Sequence, residues 1–369
     1  MARSLRPLAG VLLGLTGAMT GCSRTLPPDP EQPAPAVRGM NFCHYRTFGD
    51  PYPAAAAPGS LAELRGLGAD WVALLPCFWQ ETIQSTTFSS DQNGAPFAAD
   101  SLLEPGIERV VQDARRAGFK ILLKPHLWVH TKRTPEEWHG TIDPGSEAGW
   151  QQWFAGYQRI LLAYADFAAR EQLEALSIGV ELTRPVLARA ADFKGLIQQI
   201  RGRYHGQLTY CANWYKDFDQ CTLWGDLDFV AVDFFFPLHD DAHPDPAAVR
   251  AVMEQRRQEI EGVCLRVDKP YVLSEVGFRS MDHAYGKPWT WTLEATPTVN
   301  PLLQAEAYQL VWQVFGGRPR FRGLFWWYWH ADTSPYPQEP SDFTPRGKPA
   351  AEVLRRWFQR GAPASRPPR

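Results

Sequence analysis

The 369-residue chain has little that would commit it to nucleic-acid, redox or nucleotide chemistry. Its 38 Lys and Arg stand against 40 Asp and Glu, a net charge of −2, so no excess of positive charge is available for a phosphate backbone. There are six cysteines, Cys22, Cys43, Cys77, Cys211, Cys221 and Cys264, and no two have CxxC spacing, which leaves no thiolate metal clamp and no dithiol redox motif. Five remain after Cys22, an odd number that cannot all pair. The default reading is buried free thiols, with Cys211–Cys221 the one disulfide to weigh in an oxidising compartment. The apolar run Leu8–Met19 is too short to span a bilayer. Aromatics, by contrast, are plentiful: 15 Trp, 12 Tyr and 20 Phe. Tryptophan stacks well on sugar faces but is equally good core material, so composition favours carbohydrate chemistry only slightly.

The N-terminus reads as a targeting segment. Arg3 and Arg6 precede Leu8–Met19, and Met19-Thr20-Gly21-Cys22 ends the run in small residues before a cysteine. This resembles a bacterial lipobox. The expectation is a signal peptide over 1–21, a lipidated Cys22, and a Pro-rich tether over 22–37. It would hold a secreted lipoprotein to a membrane on its periplasmic or cell-surface face. One domain over 38–360 and a disordered tail over 361–369 complete the division.

Within 38–360, short apolar runs alternate with amphipathic segments. The runs are Gly39–His44, Trp71–Pro76, Lys120–Pro125, Ala175–Glu181, Leu208–Asn213, Phe229–Phe236, Tyr271–Glu275 and Gly323–Trp327. Nearly continuous apolarity is what strands buried on both faces of a parallel sheet require. Helical patterns lie between them, as in Glu104–Ala117, Trp150–Glu171, Val186–Tyr204, Pro246–Val267, Leu302–Phe315 and Lys348–Gln359, with only a weak element after the fifth run. Eight such units predict an α/β fold, the (β/α)8 TIM barrel. An open doubly wound sheet would call for a Gly-rich loop after the first strand, where this chain has NFCHYRTF.

Two carboxylates occupy telling places. Glu181 ends the fourth run and Glu275 the seventh. A carboxylate beside a buried strand is costly unless partnered, and barrel strand ends form the catalytic mouth. Glycosidic cleavage with retention needs a proton donor and a nucleophilic carboxylate about 5 Å apart.

Glutamates ending the fourth and seventh strands are the mark of clan A glycoside hydrolases. More narrowly, the sequence resembles glycoside hydrolase family 113, the β-1,4-mannanase family. The resemblance rests on GMNF (39–42), KILLKPHLWV (120–129), WHGTI (138–142), SIGVEL (177–182), LTYCANW (208–214), VDFFFPL (232–238), SEVGFRS (274–280) and GLFWWYW (323–329). It implies a retaining endo-β-1,4-mannanase with Glu181 as acid/base, Glu275 as nucleophile and no cofactor. Two positions depart from the pattern. Val180 precedes the acid/base where a polar residue is usual, and Phe235 stands where a tyrosine is usual.

Further strand-end residues are candidates for the substrate: Asn41 and His44 at the end of the first strand, His126 at the end of the third, Asn213 and Trp214 at the end of the fifth, and Phe235 on the sixth. On the eighth strand, period-two alternation puts Trp327 and Trp329 on one face and Trp326 on the other. His126 and His130 have HxxxH spacing, but on extended chain they would be roughly 13 Å apart, so no metal site is expected. The expected partner is a polysaccharide or oligosaccharide, met by a monomer. The alternatives are a related β-glycanase acting on another polysaccharide, or a surface glycan-binding lipoprotein without turnover, a reading motivated by Val180 and Phe235.

Overall fold

The computed structural model describes residues 35–43, 52–290, 297–333 and 339–360. The expectations for the signal peptide, Cys22, nearly all of the tether, His44 and the tail lie outside the described residues. In chain order the elements are β1 (Val37–Cys43), α1 (Ala57–Gly66), β2 (Trp71–Leu74), β3 (Cys77–Gln80), α2 (Ile107–Arg116), β4 (Lys120–Leu123), β5 (His126–Val129) and α3 (Glu147–Arg170). There follow β6 (Ala175–Val180), α4 (Thr183–Ala188), α5 (Ala190–Arg201), β7 (Gln207–Asn213), β8 (Val230–Phe234) and α6 (Pro246–Val267). The chain ends with β9 (Tyr271–Val276), α7 (Pro301–Phe315), β10 (Phe321–His330) and α8 (Pro349–Phe358). Strands β1, β2, β4, β6, β7, β8, β9 and β10 pair in parallel and close on themselves, β10 against β1, as a (β/α)8 barrel.

The barrel forms because each strand alternates between two apolar environments. Trp71, Ala73, Leu122, Ala175, Cys211, Ala231, Val272 and Phe325 fill its interior. Their neighbours Val72, Leu74, Ile121, Leu123, Leu176, Leu208, Val230, Val232 and Leu273 pack outward with the helices. Both faces are buried, and the strands therefore read as unbroken apolar runs.

Three details differ from the sequence expectation. The second and third runs end at Pro76 and Pro125, and the barrel strands stop before them, at Leu74 and Leu123. Beyond these the chain makes the short parallel pair β3–β5, with Cys77 opposite His126 and Gln80 opposite Val129. Helix α1 was not anticipated, because its Ala-, Pro- and Gly-rich sequence has no strong apolar stripe. The Val186–Tyr204 segment divides at Arg189 into α4 and α5, and the weak segment after β7 contains only a 3-10 turn, Trp224–Asp226. Cys43, Cys77, Cys211, Cys221 and Cys264 are buried free thiols. No helix among the described residues is long and apolar enough to cross a membrane.

Closure depends on one glycine. Gly323 in β10 has φ +136°, and a Cβ there would sit 2.0 Å from the carbonyl oxygen of Val37 in β1. Gly323→Ala must therefore push apart the two strands that seal the barrel. The expected cost is more than about 3 kcal/mol. Denaturant unfolding that shows a loss under about 1 kcal/mol would show that the seam yields easily.

Candidate active site

Glu181 follows β6 directly, and local irregularity turns it out of the strand. Ser177 pairs with Thr209 and Val180 with Cys211, so three steps along β6 match two along β7. Glu181 itself has φ +50°, and its N–H donates to the Cys211 carbonyl at 2.8 Å. A left-handed conformation is uncommon for a residue with a side chain, and here it aims the carboxyl into the mouth. Asn213, the last residue of β7, donates from Nδ2 to Glu181 Oε1 at 2.7 Å, and its Oδ1 accepts from the Tyr215 N–H at 2.7 Å. His139 Nε2 lies 3.5 Å from Glu181 Oε2. Its ring is set in a 3-10 turn, edge-on to Trp128 and Trp138 at centroid distances of 5.2 and 4.8 Å.

Glu275 sits inside β9. A register shift between Val232–Leu273 and Asp233–Glu275 sets one step on β8 against two on β9. Two successive residues, Ser274 and Glu275, thereby turn inward. Ser274 Oγ donates to Asp233 Oδ1 at 2.6 Å. Lys124, just beyond β4 and fully buried, places Nζ 2.6 Å from Glu275 Oε1 and 4.0 Å from Asp233 Oδ1. It also donates to Asn41 Oδ1 at 3.3 Å and to the Ser274 carbonyl at 3.4 Å. His126 Nε2 approaches Glu275 Oε1 to 3.8 Å.

Burial and the neighbouring Asp233 charge push the Glu275 carboxyl well above the ordinary carboxylate value, while Lys124 pulls it back. Burial pushes Asp233 up to about 7, with Lys124 opposing the rise and Glu181 adding to it. Burial lowers Lys124, but the charges of Glu275 and Asp233 more than offset this and the net direction is up. Its two carboxylate neighbours therefore favour the charged ammonium.

Both glutamates open into one cavity of about 710 Å³, together with His126, Asn213, Trp214, Phe235 and Trp327 from the sequence-predicted set. Two of that set are elsewhere. Asn41 is fully buried, with Nδ2 donating to the backbone carbonyls of Ser274, Phe325 and Trp326, so it braces the barrel wall and Lys124 and does not face a substrate. Trp329 is also buried on the outer side of the barrel, its Nε1 donating to Ser60 Oγ at 3.0 Å beneath the Arg346 guanidinium. The alternation that paired it with Trp327 fails because β10 bulges: Met40 to Phe42 on β1 faces Trp326 to Trp329 on β10. The Trp327–Tyr328 peptide bond is cis. Sequence reasoning missed Lys124 and Asp233, although a charge within an apolar run was signal enough. It also missed His139 as a partner of Glu181, since it comes from a loop with no periodicity.

Aromatic surface surrounds the carboxylates. Trp214 stacks on the half-exposed Trp289 at 5.1 Å, and Trp128 and Trp138 line another part of the wall. Flat rings flanking two carboxyl groups offer sugar faces an apolar bed with two titratable groups at its centre. Among the described residues no cluster of three or more His, Cys, Asp or Glu is placed to hold a metal ion.

Comparison with known proteins agrees with the barrel fold. The structure of a complex of a family 113 β-1,4-mannanase aligns over 89% of this chain and 99% of its own, with 22% identity and a TM-score of 0.72. A family 113 β-mannanase from Alicyclobacillus acidocaldarius aligns over 89% and 98%, with 21% identity and a TM-score of 0.73. A family 2 β-galacturonidase from Eisenbergiella tayi shares the barrel more distantly, with 13% identity, a TM-score of 0.56, and coverage of 89% of this chain and 51% of that one. No curated protein sequence matches. The model of Glycoside Hydrolase Family 113 matches residues 40–360, nearly the whole barrel. The chain belongs to glycoside hydrolase family 113.

Proposed function

We propose that this hydrolase is a retaining endo-β-1,4-mannanase working by double displacement, with Glu275 as nucleophile and Glu181 as general acid and then general base. One observation carries the reading: the two carboxyls share a cavity but have opposite kinds of partner. Glu275 lies against a buried ammonium, which favours an anion. Glu181 has an amide donor on one oxygen and an imidazole near the other, and it reaches the open cavity, where a proton can be delivered and recovered. In the first step Glu275 attacks the anomeric carbon, the glycosidic bond breaks, and the Glu181 proton goes to the departing oxygen. In the second, Glu181 takes a proton from water, whose oxygen attacks the anomeric carbon and displaces Glu275.

The family 113 neighbours named as β-mannanases support mannan as substrate. The test is a panel of β-linked polysaccharides with product analysis by chromatography and NMR. Mannan and mannooligosaccharides should be cleaved internally, with the β configuration first released. Val180 is buried in the barrel interior, and Phe235 meets Trp327 edge-on at 6.5 Å, so both supply apolar wall where the family pattern has polar groups. The panel therefore includes gluco- and galacto-configured β-glycans. Faster cleavage of one of these would reassign the sugar and keep the mechanism, and tight binding with no cleavage of any would replace the enzyme with a glycan-binding protein.

The lipobox-like Met19–Cys22 supports a lipid anchor on Cys22 that tethers the enzyme to a membrane. Expressed in a bacterium, the full chain should fractionate with membranes, and Cys22→Ala should block lipidation and alter processing. Wild-type protein recovered wholly in the soluble fraction without bound lipid would refute the anchor.

A further inference from the structure

We propose that Lys124 and Asp233 are positioning residues for Glu275 that act on it in opposite senses. The ammonium pins one carboxylate oxygen and works against the burial that disfavours its anion, while the Asp233 carboxyl competes for that same ammonium. The inference rests on Glu275 being the nucleophile.

The geometry is that of one cation divided between two carboxylates. Lys124 is fully buried and contacts Glu275 Oε1 at 2.6 Å, with Asp233 Oδ1 at 4.0 Å on its other side. Asn41 on β1 and the Ser274 carbonyl on β9 also accept from Nζ, so the hydrogen bond goes to Glu275 and Asp233 feels the charge across 4.0 Å. Asp233 is fully buried, accepts from Ser274 on Oδ1, and has no hydrogen-bond partner on Oδ2 among the described residues. The other titratable groups facing the pair are the thiols of Cys43 on β1 and Cys211 on β7, with His126 and Glu181 at the cavity side. Burial pushes both thiols up, leaving them neutral near pH 7, so Lys124 is the one permanent cation in the set.

With Oε1 held by the ammonium, Oε2 is the oxygen left to attack. When the glycosyl ester forms on Oε2, Oε1 becomes its carbonyl oxygen and keeps the Lys124 contact. The same ammonium then stabilises the carboxylate as it departs in the second step. Asp233 opposes this. Whenever it is ionised, Glu275 must ionise beside a second buried anion, which carries part of the Glu275 titration upward in pH.

The experiment titrates Glu275 directly by ¹³C NMR of carboxyl-labelled glutamate, assigned by its disappearance in Glu275→Gln. Wild type, Lys124→Met and Asp233→Asn are compared, and kcat/KM is followed against pH on an aryl β-mannoside with a good leaving group. In Lys124→Met the Glu275 midpoint should rise by about 1–3 pH units. In Asp233→Asn it should fall by about one pH unit and collapse to a single step. The acid limb of kcat/KM should follow each midpoint, because the attacking group must be ionised. A merely structural role would lower stability or rate in both variants without moving the midpoints in opposite directions. Midpoints that stay put, or move together, overturn the proposal. If Lys124→Met fails to fold, the sign of the Asp233→Asn shift decides alone. Because the NMR midpoint does not require turnover, a wild type that hydrolyses nothing would defeat the enzymatic reading without obscuring this result.

Discussion

Replacing Glu275 with alanine should bring hydrolysis of a β-mannoside down by at least about 10⁴-fold, because no glycosyl-enzyme can then form. The loss should persist with an activated aryl leaving group, since such a substrate relieves the need for a proton but not for a nucleophile. Added azide can enter the space vacated by the carboxylate and attack the anomeric carbon itself, giving an azide product of inverted configuration. Removing Glu275 also strands the Lys124 ammonium, so Glu275→Gln is the necessary companion: it keeps the shape, offers Lys124 an amide oxygen, and should be equally inactive. Circular dichroism and thermal melts of both variants separate a dead site from a lost fold. An alanine variant that is folded and retains more than a tenth of wild-type turnover would remove Glu275 from the mechanism.

Glu181→Ala should fail differently. It removes proton donation in the first step and water activation in the second, effects worth roughly 10²–10⁴-fold each on an unactivated mannooligosaccharide. An aryl β-mannoside with a good leaving group needs little protonation, so its first step should survive and the glycosyl-enzyme should accumulate as a burst of released aryl alcohol. Azide then restores turnover, because an anion needs no general base, and the product keeps its configuration after two inversions. Rates and product stereochemistry together distinguish the two glutamates. Identical behaviour in the two variants would mean that the roles assigned to Asn213 and His139 on one side, and to Lys124 on the other, have been misread.

How much of this could be read from the sequence follows from how each feature is encoded. The barrel was legible because strands covered on both faces must be apolar throughout, and eight such runs with helical spacers leave few architectures. The two glutamates were legible for the converse reason, a carboxylate where apolar residues are the rule. Lys124 in KILLKPHL and Asp233 in VAVDFFF obey the same rule and could have been found by it. What the sequence did not encode visibly was register. The side-chain period of a strand holds only while its pairing is regular, and bulges on β6, β9 and β10 turned Glu181, Ser274 with Glu275, and Trp329 away from simple alternation. Asn41 misled for another reason. A strand-end position was right, but its amide turns to backbone carbonyls of β9 and β10. His139 depends on a loop placed by the aromatic packing of Trp128 and Trp138, which no local pattern announces.

The shared ammonium also bears on how such a barrel could drift in evolution. A mutation that deletes Glu275 leaves a fully buried cation with one carboxylate at 4.0 Å, and breaking a buried pair in this way costs about 3–5 kcal/mol. A lineage abandoning hydrolysis would therefore find its first step uphill in folding as well as in catalysis, and it would be driven to replace Lys124 soon afterwards. Descendants that replace Glu275 with a side chain offering the ammonium no acceptor should therefore tend to change Lys124 as well.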